Sequence, residues 1–309
     1  MTVDKNRLVG LAMAGGWQLV QALPAPVADA AFAAGGEWLF RRQGRPVVQL
    51  ARNLHRVLGE RSTPQTLARV TRAGMLSYAR YWKETTRLGA MNLDRVYRYA
   101  RNNTYGLDRV QRAVDSGRGV VLAVPHSGNW DVAGLVVTRT FGSMTTVAER
   151  VEPASLFDKF VDYRTSLGMT VLPLTGGQGS VSGLLRAELE RGKIVCLPAD
   201  RDLTANGVPV SFFGEPTKMP AGPAMLAALT GAMLCTVRLN FTDDGGWRHV
   251  VQPEIPIAGK RLRDKVAAAT QQIADEFAAG VAARPQDWHM MQPLWLSDLA
   301  ARRAAAARS

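Results

Sequence analysis

From residue 119 onward, short apolar runs alternate with longer amphipathic ones. The runs at 119–125, 144–148, 169–173, 193–197, 208–213, 234–241 and 247–253 have strand length and strand composition. Between them, 130–139, 154–167, 179–191 and 219–231 carry helical periodicity, and 260–283 reads as a long closing helix. Strands that alternate with helices predict an α/β fold: a mixed, mostly parallel central sheet flanked by helices. Before it, residues 1 to about 100 read as helical. Ser62-Thr-Pro64 opens one of these helices, with a capping residue and a proline in the first turn. It carries Leu67, Val70, Tyr78, Tyr81 and Trp82 towards a core. The predicted division is a helical, membrane-associating portion over 1–105, an α/β core over 106–298, and a flexible Ala/Arg tail over 299–309.

The N-terminus also bears on location. Leu8 to Ala28 contains no charge and follows Lys5 and Arg7. A signal peptide, a membrane span or an amphipathic anchor would each produce such a segment. Gly10, Gly15, Gly16, Gln18, Gln21, Pro24 and Pro26 dilute it as a span, while Trp17, Leu19, Val20 and Leu23 give it a broad apolar face. The pattern favours a helix on the membrane interface or packed on the domain.

Charge adds a partner class. The formal net charge is +12 and the isoelectric point lies near 10.3, so an anionic partner is expected: nucleic acid, an anionic membrane or a phosphorylated ligand. No zinc finger, RNP motif or helix-turn-helix supports nucleic-acid reading. The four histidines and two cysteines show no zinc spacing, so no metal is predicted. Cys196 and Cys235 lie in apolar runs and read as reduced core residues. G-x-S-x-G and P-loop signatures are absent; Gly176-Gly-Gln-Gly179 only approaches a dinucleotide loop.

The candidate chemistry centres on Val121-Leu-Ala-Val-Pro-His-Ser-Gly-Asn-Trp-Asp131, an H-x4-D pair at the exit of a buried strand. Catalytic groups of open α/β sheets collect at strand carboxyl ends. A histidine there can take a proton near neutral pH, and an aspartate can hold its other ring nitrogen. The alternative is a helix-capping His126 with Asp131 as a solvated first-turn acid. Polar residues recur at other strand ends: Val147-Ala-Glu-Arg150, Tyr163-Arg-Thr-Ser-Leu-Gly168, and Pro198-Ala-Asp-Arg-Asp-Leu203. Val210-Ser-Phe-Phe-Gly214 is followed by a Gly/Pro-containing stretch that reads as a loop into a helix. Asp287-Trp-His-Met290 puts His289 among aromatics. Singly, each segment also reads as a surface loop or a packed residue; together they would line one crevice.

These segments, in order, resemble the bacterial lipid A biosynthesis (late) acyltransferase family of the glycerophospholipid acyltransferase superfamily. Within it they are most similar to mycobacterial phosphatidylinositol mannoside acyltransferases. The resemblance rests on His126-Ser-Gly-Asn-Trp-Asp131, Val147-Ala-Glu-Arg150, Tyr163-Arg164 with Ser166-Leu-Gly168, Leu174-Thr-Gly-Gly177, Ala199-Asp-Arg-Asp-Leu203, Phe212-Phe-Gly214 with Pro220-Ala-Gly-Pro-Ala224, and Asp287-Trp-His-Met290. It covers roughly residues 75 to 296. It implies transfer of a long acyl chain from acyl-CoA, a co-substrate with no further cofactor, to a mannose hydroxyl of phosphatidylinositol mannosides. The location implied is the cytoplasmic face of the cell membrane, with the protein peripheral or monotopic on its anionic surface.

By position the resemblance makes His126 the general base and Asp131 its partner. Glu149, Arg164 and His289 match polar residues around mannose and phosphate, and Arg201 is a further candidate for substrate binding. Asp200 matches a position where a relative carries Glu, and acts as catalytic support if the shorter side chain reaches His126. Two other readings stay open: a relative acting on another lipid headgroup or taking its acyl group from acyl carrier protein, and a non-catalytic basic module that binds membranes or nucleic acid.

Overall fold

The computed structural model describes residues 15–150, 154–174, 180–203 and 206–306. Strand β2 (Val120–Val124) is buried at every position, because both its faces are covered. The period-2 alternation of a strand sorts it between two cores. Val121 and Ala123 join Val195, Leu197 and Leu234 on one side. Val120, Leu122 and Val124 join Ile194, Cys196, Met233 and Cys235 on the other. Cys196 and Cys235 are buried free thiols, and burial pushes both up to about 12.

The other strands are β1 (Thr104–Tyr105), β3 (Met144–Ala148), β4 (Met169–Pro173), β5 (Ile194–Pro198), β8 (Met233–Phe241) and β9 (Trp247–Val251). With β2 they form a seven-stranded sheet in the order β1-β9-β8-β2-β5-β3-β4. Only β8–β9 pairs antiparallel; all other neighbours are parallel. The mixed, mostly parallel sheet flanked by helices agrees with the sequence pattern.

The helices before the sheet are α1 (Ala25–Arg42), α2 (Arg45–Leu58), α3 (Pro64–Arg87) and α4 (Leu93–Asn102). They follow a helical stretch over 15–22. Thr63 caps α3 by accepting from the Thr66 amide, with Pro64 in the first turn. Val47, Leu50, Leu54 and Leu58 of α2 pack on Val70 and Met75 of α3. Gly36 lets α1 come close to α3: a Cβ there would lie 3.0 Å from the Met75 carbonyl. Around the sheet lie α5 (Leu107–Asp115), α6 (Trp130–Phe141), α7 (Ala154–Ser166), α8 (Val181–Glu190), α9 (Gly222–Thr230) and α10 (Leu262–Ala283). A last helix, α11, runs from Leu296 to Ala306.

One expectation needs correction. The stretch after Phe212 is not a loop into a helix. A two-residue turn at Phe213 and Gly214, both at positive φ, reverses β6 (Val208–Phe212) into β7 (Glu215–Met219). Pro216 disguises β7 as a loop; the strand belongs to a separate two-stranded sheet, where an edge proline is tolerated. In the stretch 299–309, read from sequence as a flexible tail, residues through Ala306 are helical, and 307–309 lie outside the described residues. Asp298 of this helix is held by Arg56 of α2 at 3.0 Å. Among the described residues no helix is long and apolar enough to cross a membrane. Residues 8–14 of the uncharged N-terminal segment, and Gly176 to Gly179, lie outside the described residues.

Candidate active site

Parallel register places the first two residues of the site. Val124 of β2 pairs with Pro198 of β5. Two residues beyond each lie His126 and Asp200, so they emerge side by side. Asp200 takes both hydrogen-bond donors that His126 offers it: the backbone N–H to Oδ2 at 2.9 Å and Nδ1 to Oδ1 at 2.5 Å. The Trp288 indole N–H adds a third bond, to Oδ2, at 2.9 Å. Asp200 and Trp288 are fully buried, whereas the His126 side chain keeps 43% of its surface exposed. With Nδ1–H given to the carboxylate, the Nε2 lone pair is the free one.

Opposing forces act on this imidazole. Burial disfavours the imidazolium, and Arg201 repels it. The charge and hydrogen bond of Asp200, helped by Glu149, outweigh both and raise His126 above its ordinary value. For Asp200, burial favours protonation. The imidazolium, the His126 and Trp288 hydrogen bonds and the His126 amide overcome it and hold the carboxyl below its usual range.

Asp131 does not hold the His126 ring. Asn129 starts α6 by accepting from the Asp131 and Val132 amides, which puts Asp131 in the first helical turn. There it meets α7, and Arg164 Nε donates to its Oδ1 at 2.9 Å. Both partners are buried. The guanidinium also lies over the Trp130 ring, 4.2 Å from its centroid. Arg164, expected at an anionic headgroup or a phosphate, gives its Nε to this pair. Glu149 is exposed at the end of β3, and Arg201 is half-buried after β5.

His289 comes to the site through the backbone. Its N–H donates to the His126 carbonyl at 2.8 Å, and Ser127 and Trp288 form an antiparallel bridge. Gly128 sits between: its N–H donates to the Asp287 carbonyl, and a Cβ on it would lie 2.8 Å from the Leu239 carbonyl oxygen. The loop has one more anchor, which the sequence pattern does not reveal. Asn129 Nδ2 donates to Glu84 at 2.7 Å, as does the Trp247 indole. Thus His126, Asn129 and Asp131 tie one turn to β5, α3 and α7. The other residues that sequence reasoning misses are Trp288, Ser77 and Asp287. Trp288 and Asp287 adjoin His289 in a segment already marked by its aromatics; Ser77 and Glu84 carry no local signal.

No group of three or more His, Cys, Asp or Glu side chains suited to a metal occurs among the described residues. Chemically, the arrangement offers an exposed imidazole nitrogen backed by a buried carboxylate, suited to taking a proton from a weakly acidic hydroxyl.

Known proteins share this chain's sequence over almost its full length. The family model of bacterial lipid A biosynthesis acyltransferases matches residues 5–297. A phosphatidylinositol mannoside acyltransferase of Mycolicibacterium smegmatis is 46% identical over 302 residues, covering 97% of this chain and 95% of that protein. One from Mycobacterium tuberculosis strain CDC 1551 / Oshkosh is 46% identical over 300 residues, covering 96% and 92%. The family match includes the His126 turn, the Asp200 strand end and the His289 segment. The chain belongs to the bacterial lipid A biosynthesis acyltransferase family, and it is an acyltransferase.

Proposed function

We propose that this acyltransferase moves a long-chain acyl group from acyl-CoA to a mannose hydroxyl of phosphatidylinositol mannosides, with His126 as general base. The observation that carries this reading is the half-exposed His126 imidazole, whose Nδ1 is held by buried Asp200 so that Nε2 is left to act. A sugar hydroxyl is a weak nucleophile at neutral pH. His126 Nε2 takes its proton as the oxygen attacks the thioester carbonyl, and Asp200 stabilises the imidazolium that forms. The tetrahedral intermediate collapses with release of the CoA thiolate, which the imidazolium can protonate. Such base catalysis contributes ~10²–10⁴-fold. Both cysteines are sealed in the sheet, which favours direct transfer over an acyl-enzyme.

The names of the two mycobacterial relatives support the acceptor class. An apolar groove of about 380 Å³ between α1 and α3, lined by Phe32, Leu39, Met75, Tyr78 and Trp82, supports a lipid chain as part of the substrate. Tyr78 connects it to the site, packing on His289 at 5.6 Å between ring centroids. Val27, Trp38 and Leu39 of α1 are exposed, with Arg41, Arg42 and Arg45 alongside. That combination suits peripheral contact with an anionic membrane, on the cytoplasmic side where acyl-CoA is found.

The test is transfer of a radiolabelled acyl group to purified phosphatidylinositol mannosides, with acyl-CoA and acyl carrier protein as alternative donors. Wild type should transfer from acyl-CoA and His126→Ala should not. Transfer from the carrier protein alone would overturn the donor; no transfer to any mannosylated lipid would overturn the acceptor.

A further inference from the structure

Behind His289 runs a second polar relay that the chemistry above does not use. Ser77 Oγ lies 3.0 Å from His289 Nε2 and 3.1 Å from Asp287 Oδ1. The other carboxylate oxygen of Asp287 accepts from the Phe241 amide at 3.0 Å and from Arg284 Nε at 3.2 Å. Burial raises Asp287 above its ordinary value, while the Phe241 amide, the Arg284 charge and the Ser77 hydroxyl act against it; with the guanidinium in contact, we assign Asp287 as the carboxylate, an acceptor at both oxygens. The Ser77 hydroxyl must therefore donate to Asp287, and its oxygen accepts the proton on His289 Nε2. Burial, reinforced by repulsion from His126, pushes His289 down to about 3, so the ring is neutral at working pH and carries its one proton on Nε2.

Nδ1 is then a bare lone pair. It has no hydrogen-bond partner among the described residues and is not one of the sealed, unpartnered polar atoms. Tyr78, Tyr81 and Phe241 pack around the ring, 5.6, 5.7 and 6.4 Å away between centroids, and fix its plane. The backbone bond from His289 to His126 keeps it beside the base.

We propose that Ser77 and Asp287 are positioning residues that hold His289 as its Nε2–H tautomer, leaving Nδ1 to accept a hydrogen bond from a hydroxyl of the sugar acceptor. This rests on the acceptor reading above and deepens it. Two imidazoles side by side, each with one free lone pair, suit a sugar diol: one hydroxyl gives its proton to His126, the neighbouring one donates to His289.

The relay has a direction, and one substitution reverses it. In Asp287→Asn the amide oxygen stays with the Phe241 and Arg284 donors, so the amide nitrogen faces Ser77. It donates to Ser77 Oγ, the hydroxyl turns to donate to His289 Nε2, and the ring proton moves to Nδ1. The chain has four histidines, few enough to assign each ring by two-bond 15N–1H correlation after histidine labelling. Wild type and Ser77→Thr should show the Nε2–H pattern for His289. Asp287→Asn should show Nδ1–H, and Ser77→Ala should lose the Nε2–H preference. A merely structural role would not invert a tautomer.

In the transfer assay, Ser77→Ala and Asp287→Asn should raise KM for the mannosylated lipid about fivefold to tenfold, as loss of one hydrogen bond does, with a smaller change in kcat. Ser77→Thr should restore KM. An Nδ1–H tautomer in wild type, or an unchanged tautomer in Asp287→Asn, would overturn the proposal. The tautomer is read without substrate, so that result holds whatever acceptor the transfer assay identifies.

Discussion

One turn, residues 126–131, supplies two ion pairs, each built on an aspartate and given opposite fates. Asp200 meets an imidazole with 43% of its surface exposed. Asp131 meets a guanidinium sealed between α6 and α7, with 0% of the aspartate side chain exposed. The first pair can exchange a proton with something outside; the second cannot. The open pair is also the better satisfied. Asp200 has three donors, whereas Asp131 Oδ2 and the Tyr163 hydroxyl are buried without partners. The carboxylate that follows the histidine in the same turn thus pairs with a buried guanidinium, and the one 74 residues away bonds the imidazole. Sequence spacing identifies the turn, but strand register chooses the partner.

Substitutions at the two pairs should therefore separate activity from stability. The largest effect expected is on turnover. His126→Ala should lower transfer by at least ~10²–10⁴-fold, the contribution of a positioned base. The Trp288 indole donor left on Asp200, the local backbone amide and access of water at the open edge should keep its melting temperature near wild type. Next comes the sealed pair. Asp131→Ala strands a buried guanidinium and should cost about 3–5 kcal/mol in denaturant unfolding. Asp131→Leu combined with Arg164→Met should recover most of that. Activity per folded molecule should stay near wild type in both cases. A full rescue of stability without activity would instead give the pair a direct role.

Smaller effects follow. Trp288→Phe removes one donor from the Asp200 carboxylate, a bond worth about 1.5–3 kcal/mol. It should lower kcat/KM about tenfold, with the pH optimum moved little, because His126 still holds Asp200 through two bonds. Smallest is Tyr163→Phe. It deletes a buried hydroxyl with no partner and should leave stability unchanged or raise it by up to about 1 kcal/mol, with turnover intact.

Much of this architecture is legible in the sequence. The runs at 144–148 and 169–173 coincide with β3 and β4, because apolar strands between helical periodicities leave few alternatives. β7 escapes such reading because Gly214 and Pro216 mimic a loop, and β1 because two residues carry no period. Within the site, His126 announces itself by standing at the end of a fully buried strand. Sequence alone leaves open whether the Asp200 side chain reaches it. The parallel register of β2 and β5 brings it close enough to bond both the ring and the backbone amide. The partner of Asp131 is not legible, because it depends on which helix packs against α6. Ser77 bonds Asp287 across 210 residues of chain, a distance over which no local pattern carries information.

The central claim is that Asp200, not Asp131, tunes the base, and the pH dependence of kcat/KM tests it most directly. His126 must be unprotonated to act, and Asp200 raises it, so activity should be lost as pH falls through a midpoint above about 6.5, the ordinary histidine value. In Asp200→Asn the charge that raises His126 is gone while burial remains, so the acid midpoint should move to lower pH and the plateau should drop. Asp131→Asn, assayed where it stays folded, should leave the midpoint in place. A midpoint that moves in Asp131→Asn and stays fixed in Asp200→Asn would contradict the assignment.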